Sequence, residues 1–352
     1  MQTEYLIIGQ GISGTFLSYY LEKEGKKNLV IDNNYSLSPS KIAAGIINPV
    51  TGRRLVTVWM VDEILPFAWK AYQSIGHDLD ILAISQKSII DFFPNPFMRE
   101  GFLQKIETGD KYVHAYPEQN HFYNYFNYEL GCGEIRPVYT AHLETLLPSW
   151  RSHLQKENVL LEENFDIDHL KVEPGKIYYK DIVAEKIIFC DGTGSFENPY
   201  FNKLPFAPNK GESLVAEISG LPAEHIYKKG MMIVPLVEKD LFWIGASYIW
   251  DFDNADPTEA FRESTEQVLK QWLKIPFRIV EHRSGLRPAT LERRPFVGFH
   301  PQHPSIGILN GMGTKGCSLA PFFAKQLTDN LVYQLPIAKD ADINRFAKIL
   351  AR

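Results

Sequence analysis

Apolar residues run without a break from Tyr5 to Ile8, and the pattern predicts a buried strand over Thr3 to Ile8. The turn Gly9-Gln10-Gly11-Ile12-Ser13-Gly14 follows, after which Phe16, Leu17, Tyr20 and Leu21 share one face at helical spacing. Gly25 stops that helix, Asn28 to Ile31 forms a second apolar run, and Asp32 closes it. Strand, glycine turn, helix and strand thus occupy roughly the thirty residues of a βαβ unit.

Beyond it, residues 33–54 are small, polar or rich in Pro and Gly, the composition of an ordered loop. Helices are expected over Val56 to Ile75, Thr140 to Gln155 and Pro257 to Leu273. Strands are expected at Leu82 to Phe93, Val159 to Glu162, Lys176 to Lys180, Ala184 to Cys190, Ser213 to Ile218, Met231 to Leu236 and Phe242 to Ser247. A second glycine turn, Asn310 to Gly316, lies between a strand at Ser305 to Leu309 and a helix at Ser318 to Leu331. The pattern predicts an α/β protein: a Rossmann-like domain and a second, mainly antiparallel β-sheet α+β domain.

In such a turn the first glycine permits the tight bend, the second admits a diphosphate to the backbone, and the third lets helix and strand pack closely. The helix N-terminus offers the phosphates free N–H groups and about half a positive charge. Asp32 stands 23 residues after Gly9, the spacing of an acid that binds a ribose diol, although a solvated strand-end carboxylate is the alternative. The motif alone does not separate NAD from FAD, which share an ADP half.

Composition narrows this further. A formal net charge of −5 argues against a nucleic-acid partner, which would need clustered Lys and Arg. Cys132, Cys190 and Cys317 are odd in number and far apart, fitting neither a disulfide framework nor a metal site. No metal cluster and no Ser-His-Asp signature is expected. No apolar run is long enough to span a bilayer, and a cytoplasmic protein is expected.

The chain resembles the D-amino-acid oxidase superfamily of FAD-dependent oxidoreductases, which includes glycine oxidase and sarcosine oxidase. The carriers are Gly9 to Gly14 with Asp32, Ser40-Lys41-Ile42-Ala43-Ala44-Gly45-Ile46-Ile47-Asn48-Pro49, Cys190 to Ser195, Gly285-Leu286-Arg287-Pro288, Arg294-Pro295-Phe296-Val297-Gly298, and Asn310 to Gly316. The resemblance implies noncovalent FAD held at Gly9, Gly11, Ile12, Ser13, Gly14, Asp32 and Asn33. Ser40, Ala43, Ala44 and Gly45 would run along it, with Gly192 closing nearby and Gly311, Gly313, Thr314, Lys315 and Gly316 beside the ring. It implies a discontinuous FAD-binding domain of residues 1–83, 136–205 and 285–352, and a substrate-binding domain of 84–135 and 206–284.

Arg287 matches the arginine that grips a substrate carboxylate in the family; an interdomain salt bridge is the competing reading. Tyr248 and Lys315 are weaker candidates for contact with substrate. Asp191 replaces the usual alanine before the strand-end glycine. Arg53 and Arg54 read as exposed charges at a helix start. The implied reaction is oxidation of the C–N bond of a small amine or amino acid by hydride transfer to flavin N5, giving an imine. The alternatives are an NAD-linked dehydrogenase, a flavin protein without turnover, and one acting on modified tRNA. No oligomeric state is expected over another.

Overall fold

The βαβ unit forms. In a computed structural model describing residues 1–351, strand β1 (Gln2–Ile8) leads through helix α1 (Ile12–Lys23) to strand β2 (Asn28–Ile31), parallel to β1. The next segment holds one helical turn, α2 (Pro39–Ile42), and strands β3 (Ile46–Ile47), β4 (Val50–Thr51) and β5 (Val56–Thr57) before helix α3 (Val61–Leu79). Then come β6 (Ile84–Phe92), α4 (Pro96–Glu107), β7 (Val113–Ala115), β8 (Cys132–Ala141) and α5 (Leu143–Lys156). Strands β9 (Leu160–Leu161), β10 (Leu170–Glu173), β11 (Lys176–Tyr179) and β12 (Ile182–Phe189) follow. After them run β13 (Asn209–Glu217), β14 (His225–Lys229), β15 (Met231–Pro235) and β16 (Leu241–Gly245). Helix α6 (Glu259–Trp272), strands β17 (Arg278–Arg287), β18 (Phe296–His300) and β19 (His303–Asn310), and helix α7 (Gly316–Tyr333) complete the framework of the site.

The first sheet carries the parallel run β19-β12-β1-β2-β9, with β10, β11 and β18 attached antiparallel at its edge. Its central strands are buried on both faces, as parallel strands covered by helices must be. The second sheet runs β17-β13-β16-β15-β14-β6-β8-β3, with β7 on β8; every pairing but β14 with β6 is antiparallel. One face packs Leu214, Ile233 and Ile244 with Phe126 and with Trp272 of α6. The other turns toward the first sheet, where the Trp243 indole donates to the Ile42 carbonyl at 3.1 Å. Residues 136–141 and 285–287 hydrogen-bond in this second sheet through β8 and β17. No helix among the described residues is long and apolar enough to cross a membrane.

Three expectations need correction. The helix expected from Val56 begins at Val61, because residues 50–57 close a hairpin and Met60 adopts a left-handed φ of 51°. Arg53 and Arg54 therefore stand at an exposed hairpin tip rather than at a helix start. Thr140 and Ala141 end a strand, and the helix begins at Leu143. Strands β8, β14 and β17 escaped the alternation rule because they mix charged with apolar positions along their length.

Candidate functional site

Four neighbouring parallel strands finish at one rim: β1 at Gly9, β2 at Asp32, β12 at Cys190-Asp191 and β19 at Asn310-Gly311. The carboxyl edge of an open parallel sheet is where such folds bind ligands. Gly9, Gly11, Asp32, Ser40, Gly192, Gly313 and Gly316 are all partly exposed at this rim, so much of the surface it offers is backbone.

The glycines of the first turn are required for different reasons. A Cβ on Gly14 would lie 1.8 Å from the Gly9 carbonyl oxygen, and one on Gly9, whose φ is +98°, would lie 2.6 Å from the Cys190 carbonyl oxygen. Gly11 meets only the Ser40 hydroxyl, at 3.1 Å from such a Cβ, so it keeps the rim open. That hydroxyl accepts the Ile12 N–H at 3.1 Å. Ile12 and Ser13 are buried, contributing through the helix start.

The second turn comes to the same place. Gly311 and Gly313 both take positive φ, and the Gly313 N–H donates to the Pro288 carbonyl at 3.1 Å. A Cβ on Gly316 would lie 3.5 Å from Ile12 Cγ2, so the N-termini of α7 and α1 meet, and α7 has no side-chain cap. Asn310 stitches the rim together. Its amide donates to the Gly192 carbonyl at 2.7 Å, to the Ser195 hydroxyl at 2.9 Å and to Asp191 Oδ1 at 3.3 Å, while its Oδ1 accepts the Gly311 N–H at 2.8 Å.

Asp32 is not a solvated strand-end acid. Its carboxylate accepts the Gln10 N–H and the Asn34 N–H, each at 2.8 Å, and pairs with the Arg151 guanidinium at 2.6 Å. Arg151, nearly buried, also reaches Glu162 at 3.0 Å. Sequence reasoning missed Arg151, though a charge on the stripe Leu143, Leu147, Trp150 and Leu154 of α5 was a usable signal. Asn33 turns away, donating to Asn164 Oδ1 at 2.5 Å. Gly45 does so too: its Cβ would lie 1.9 Å from the Ala141 carbonyl oxygen, so closeness to β8 explains that glycine. Ala44 is buried beside it, while Ala43 and Thr314 are exposed.

Asp191 was also missed as a titrating group. The Ser195 hydroxyl donates to it, and burial pushes its pKa up to about 7 despite that bond and the one from Asn310. A folded-state pKa above the unfolded value means that the folded state holds the extra proton, so this group's contribution falls as pH rises from about 4 to about 7, by at most about 4 kcal/mol. Its Cα would be 3.1 Å from a Cβ on Gly9, so its ionised form sets a negative charge beside the diphosphate turn. FAD affinity is therefore expected to fall as pH rises through about 7, and Asp191→Asn to flatten that dependence. Fluorescence titration of apoprotein with FAD from pH 5.5 to 8.5 checks this, and an identical slope in the variant would sink it.

Arg287 ends β17 opposite Asn209 of β13. It lies across Gly211, where a Cβ would come within 1.9 Å of its Nη2. Its guanidinium donates to Asn209 Oδ1 at 2.6 Å and to the Ser247 carbonyl at 3.2 Å, and sits 5.6 Å from the Tyr248 ring. Burial pulls its pKa down, partly offset by Tyr248. No carboxylate lies within 4.0 Å of it among the described residues. The competing salt-bridge reading of Arg287 thus finds no partner. Lys315, where α7 begins, is lowered to about 8 by burial and by Arg293, and it has no acidic partner among the described residues either.

Two glycine turns meeting under two helix N-termini, opposite a second sheet that holds a half-buried guanidinium, define a two-domain oxidoreductase built around a dinucleotide cofactor. The chain belongs to the FAD dependent oxidoreductase (DAO) family, which matches residues 135–330, more than half its length. It is 23% identical to a glycine oxidase of Bacillus subtilis (strain 168) over 93% of this chain and 92% of that one. A glycine oxidase of Pseudomonas aeruginosa is 26% identical over 60% of this chain and 62% of that protein, a little under two thirds of its length. The solved glycine oxidase of Geobacillus kaustophilus has the same fold, with a TM-score of 0.78, 16% identity and 96% of each chain covered. The cofactor is therefore FAD, and the NAD-linked alternative is set aside. The residues present fit it: the turns at the rim need glycine, as at Gly9 and Gly14 where a Cβ would strike backbone, and the end of β2 carries the Asp32 carboxylate.

Proposed function

We propose that the protein oxidises the C–N bond of an amino acid whose carboxylate is held by Arg287. The observation that carries this is a half-buried guanidinium braced by neutral acceptors and lacking any acidic partner among the described residues. A partly desolvated cation of this kind is favoured when an anion joins it, and a carboxylate matches its two-pronged geometry. The glycine oxidase relatives support an amino-acid substrate.

Bound FAD supplies the hydride acceptor. The polypeptide then has three tasks. Backbone N–H groups of the two turns and the starts of α1 and α7 balance negative charge on the cofactor. Arg287, steadied by Asn209 and Ser247, orients the substrate. Lys315 is cationic below about pH 8 and adds positive charge at the start of α7.

FAD attachment is noncovalent in this reading. All three cysteines are buried, and burial raises Cys132 and Cys317 to about 12 and pushes Cys190 well above its usual value, which withholds the thiolate that attachment needs. Acid precipitation is expected to leave a white pellet and yellow supernatant. Anaerobic mixing with glycine, D-amino acids, N-methyl amino acids and L-proline is expected to bleach the flavin with at least one of them, and a spectrum unchanged by all would overturn the proposal.

A further inference from the structure

The segment after β16 sets the Tyr248 ring 5.6 Å from the Arg287 guanidinium and the Trp250 ring against Tyr248. Tyr248 and Trp250 are 48% and 52% exposed, and their rings meet edge to face at 5.2 Å. Exposed aromatics usually stand on mobile loops, but this one is held at both ends. At its start, Lys210 and Ile249 exchange backbone hydrogen bonds at 2.9 and 3.0 Å, the Ser247 N–H donates to the Glu212 carbonyl at 3.0 Å, and the Asn209 amide donates to the Ile249 carbonyl at 2.8 Å. At its end, the Lys210 ammonium donates to the Asp256 carbonyl at 2.5 Å, and the Glu212 carboxylate takes the Thr258 N–H at 2.6 Å and hydroxyl at 2.9 Å.

Lys210 and Glu212 project from the face of β13 opposite Arg287, and both are almost fully buried. His282 adds a contact to Glu212 at 3.0 Å. A buried ionic cluster is expensive and stabilises little by itself; what it achieves here is a fixed path for residues 247–258. Asn209 links that path to the guanidinium, since the same side chain binds both Ile249 and Arg287. The two rings are thereby set in register with the carboxylate grip, a rigid apolar surface rather than a flexible one.

We propose that Tyr248 and Trp250 form the wall against which the substrate's side chain lies, so that the preferred substrate is an amino acid with an aromatic or branched apolar side chain rather than glycine. This rests on Arg287 holding the carboxylate. Trp250 is then a specificity-determining residue, and Lys210 and Glu212 are positioning residues acting through the loop.

The test uses FAD-loaded protein and non-oxidisable acids, read from the perturbation of flavin absorption. Benzoate is expected to bind at least roughly tenfold tighter than acetate. In Trp250→Ala that ratio is expected to fall toward one, and in Trp250→Phe to recover most of its value. A ratio near one in the parent protein, or one unchanged in Trp250→Ala while Arg287→Met loses both acids, overturns the wall alone. Binding of both acids unchanged in Arg287→Met overturns the carboxylate reading beneath it.

Discussion

Gly14→Ala is expected to purify colourless. The added methyl would stand 1.8 Å from the Gly9 carbonyl oxygen, a backbone atom that cannot swing aside as a side chain would. Relief requires α1 to lift from β1 or the turn to open, and overpacking of this kind costs roughly 1–3 kcal/mol or more. The same shift moves the helix N-terminus away from the rim and separates Ile12 from Gly316, where the two helix starts now meet. Affinity is therefore expected to fall further than stability does, because every backbone donor at the rim moves together. The ratio of flavin to protein absorbance after purification checks this, with the melting temperature of apoprotein as the companion measurement. A variant with full FAD content and an unchanged melting temperature would show that the turn does not carry the cofactor. Gly101→Ala, in α4, is the control, since a Cβ there meets nothing within 4 Å and its φ lies outside the left-handed region.

The second large effect is expected at Arg287. Removing one partner of a buried charge pair costs about 2–5 kcal/mol, so Arg287→Met should lower kcat/KM for an accepted amino acid by a factor of about thirty to a few thousand. Arg287→Lys keeps a charge but loses the fork, and an intermediate loss is expected. Because the guanidinium also ties Asn209 to the Ser247 carbonyl, part of the loss comes from the loosened loop. The two contributions separate in the steady-state constants: a missing carboxylate grip raises KM most for small amino acids, whereas a loosened loop affects bulky ones more. Uncharged amines provide the reference. If they and amino acids lose activity equally in Arg287→Met, the arginine is structural.

Much of the framework was legible in the linear pattern. The run Tyr5 to Ile8, the three glycines and the stop at Asp32 announce a βαβ unit because each is a local demand: buried strand, tight turn, close packing, strand end. Gly211 shows what such a reading passes over. A lone glycine in a strand marks a close approach, and here Arg287 lies over it, but nothing in the local sequence names the side chain that needs the space. Arg53 and Arg54 show the opposite failure, in which an apolar pattern that suited a helix became a hairpin once β4 and β5 paired.

By itself the sequence determined the dinucleotide turn and the strand and helix beside it, because sterics along a short stretch of chain decide those. Only the tertiary structure decided that Asn310 ties two distant turns together, that Arg151 pairs with Asp32, that burial raises Asp191 to about 7 and that Arg287 has no acidic partner among the described residues. Each of these depends on which charges and dipoles share a space of low dielectric. Residues more than a hundred positions apart enter that space only when the sheets close, so their chemistry cannot be read before the fold is known.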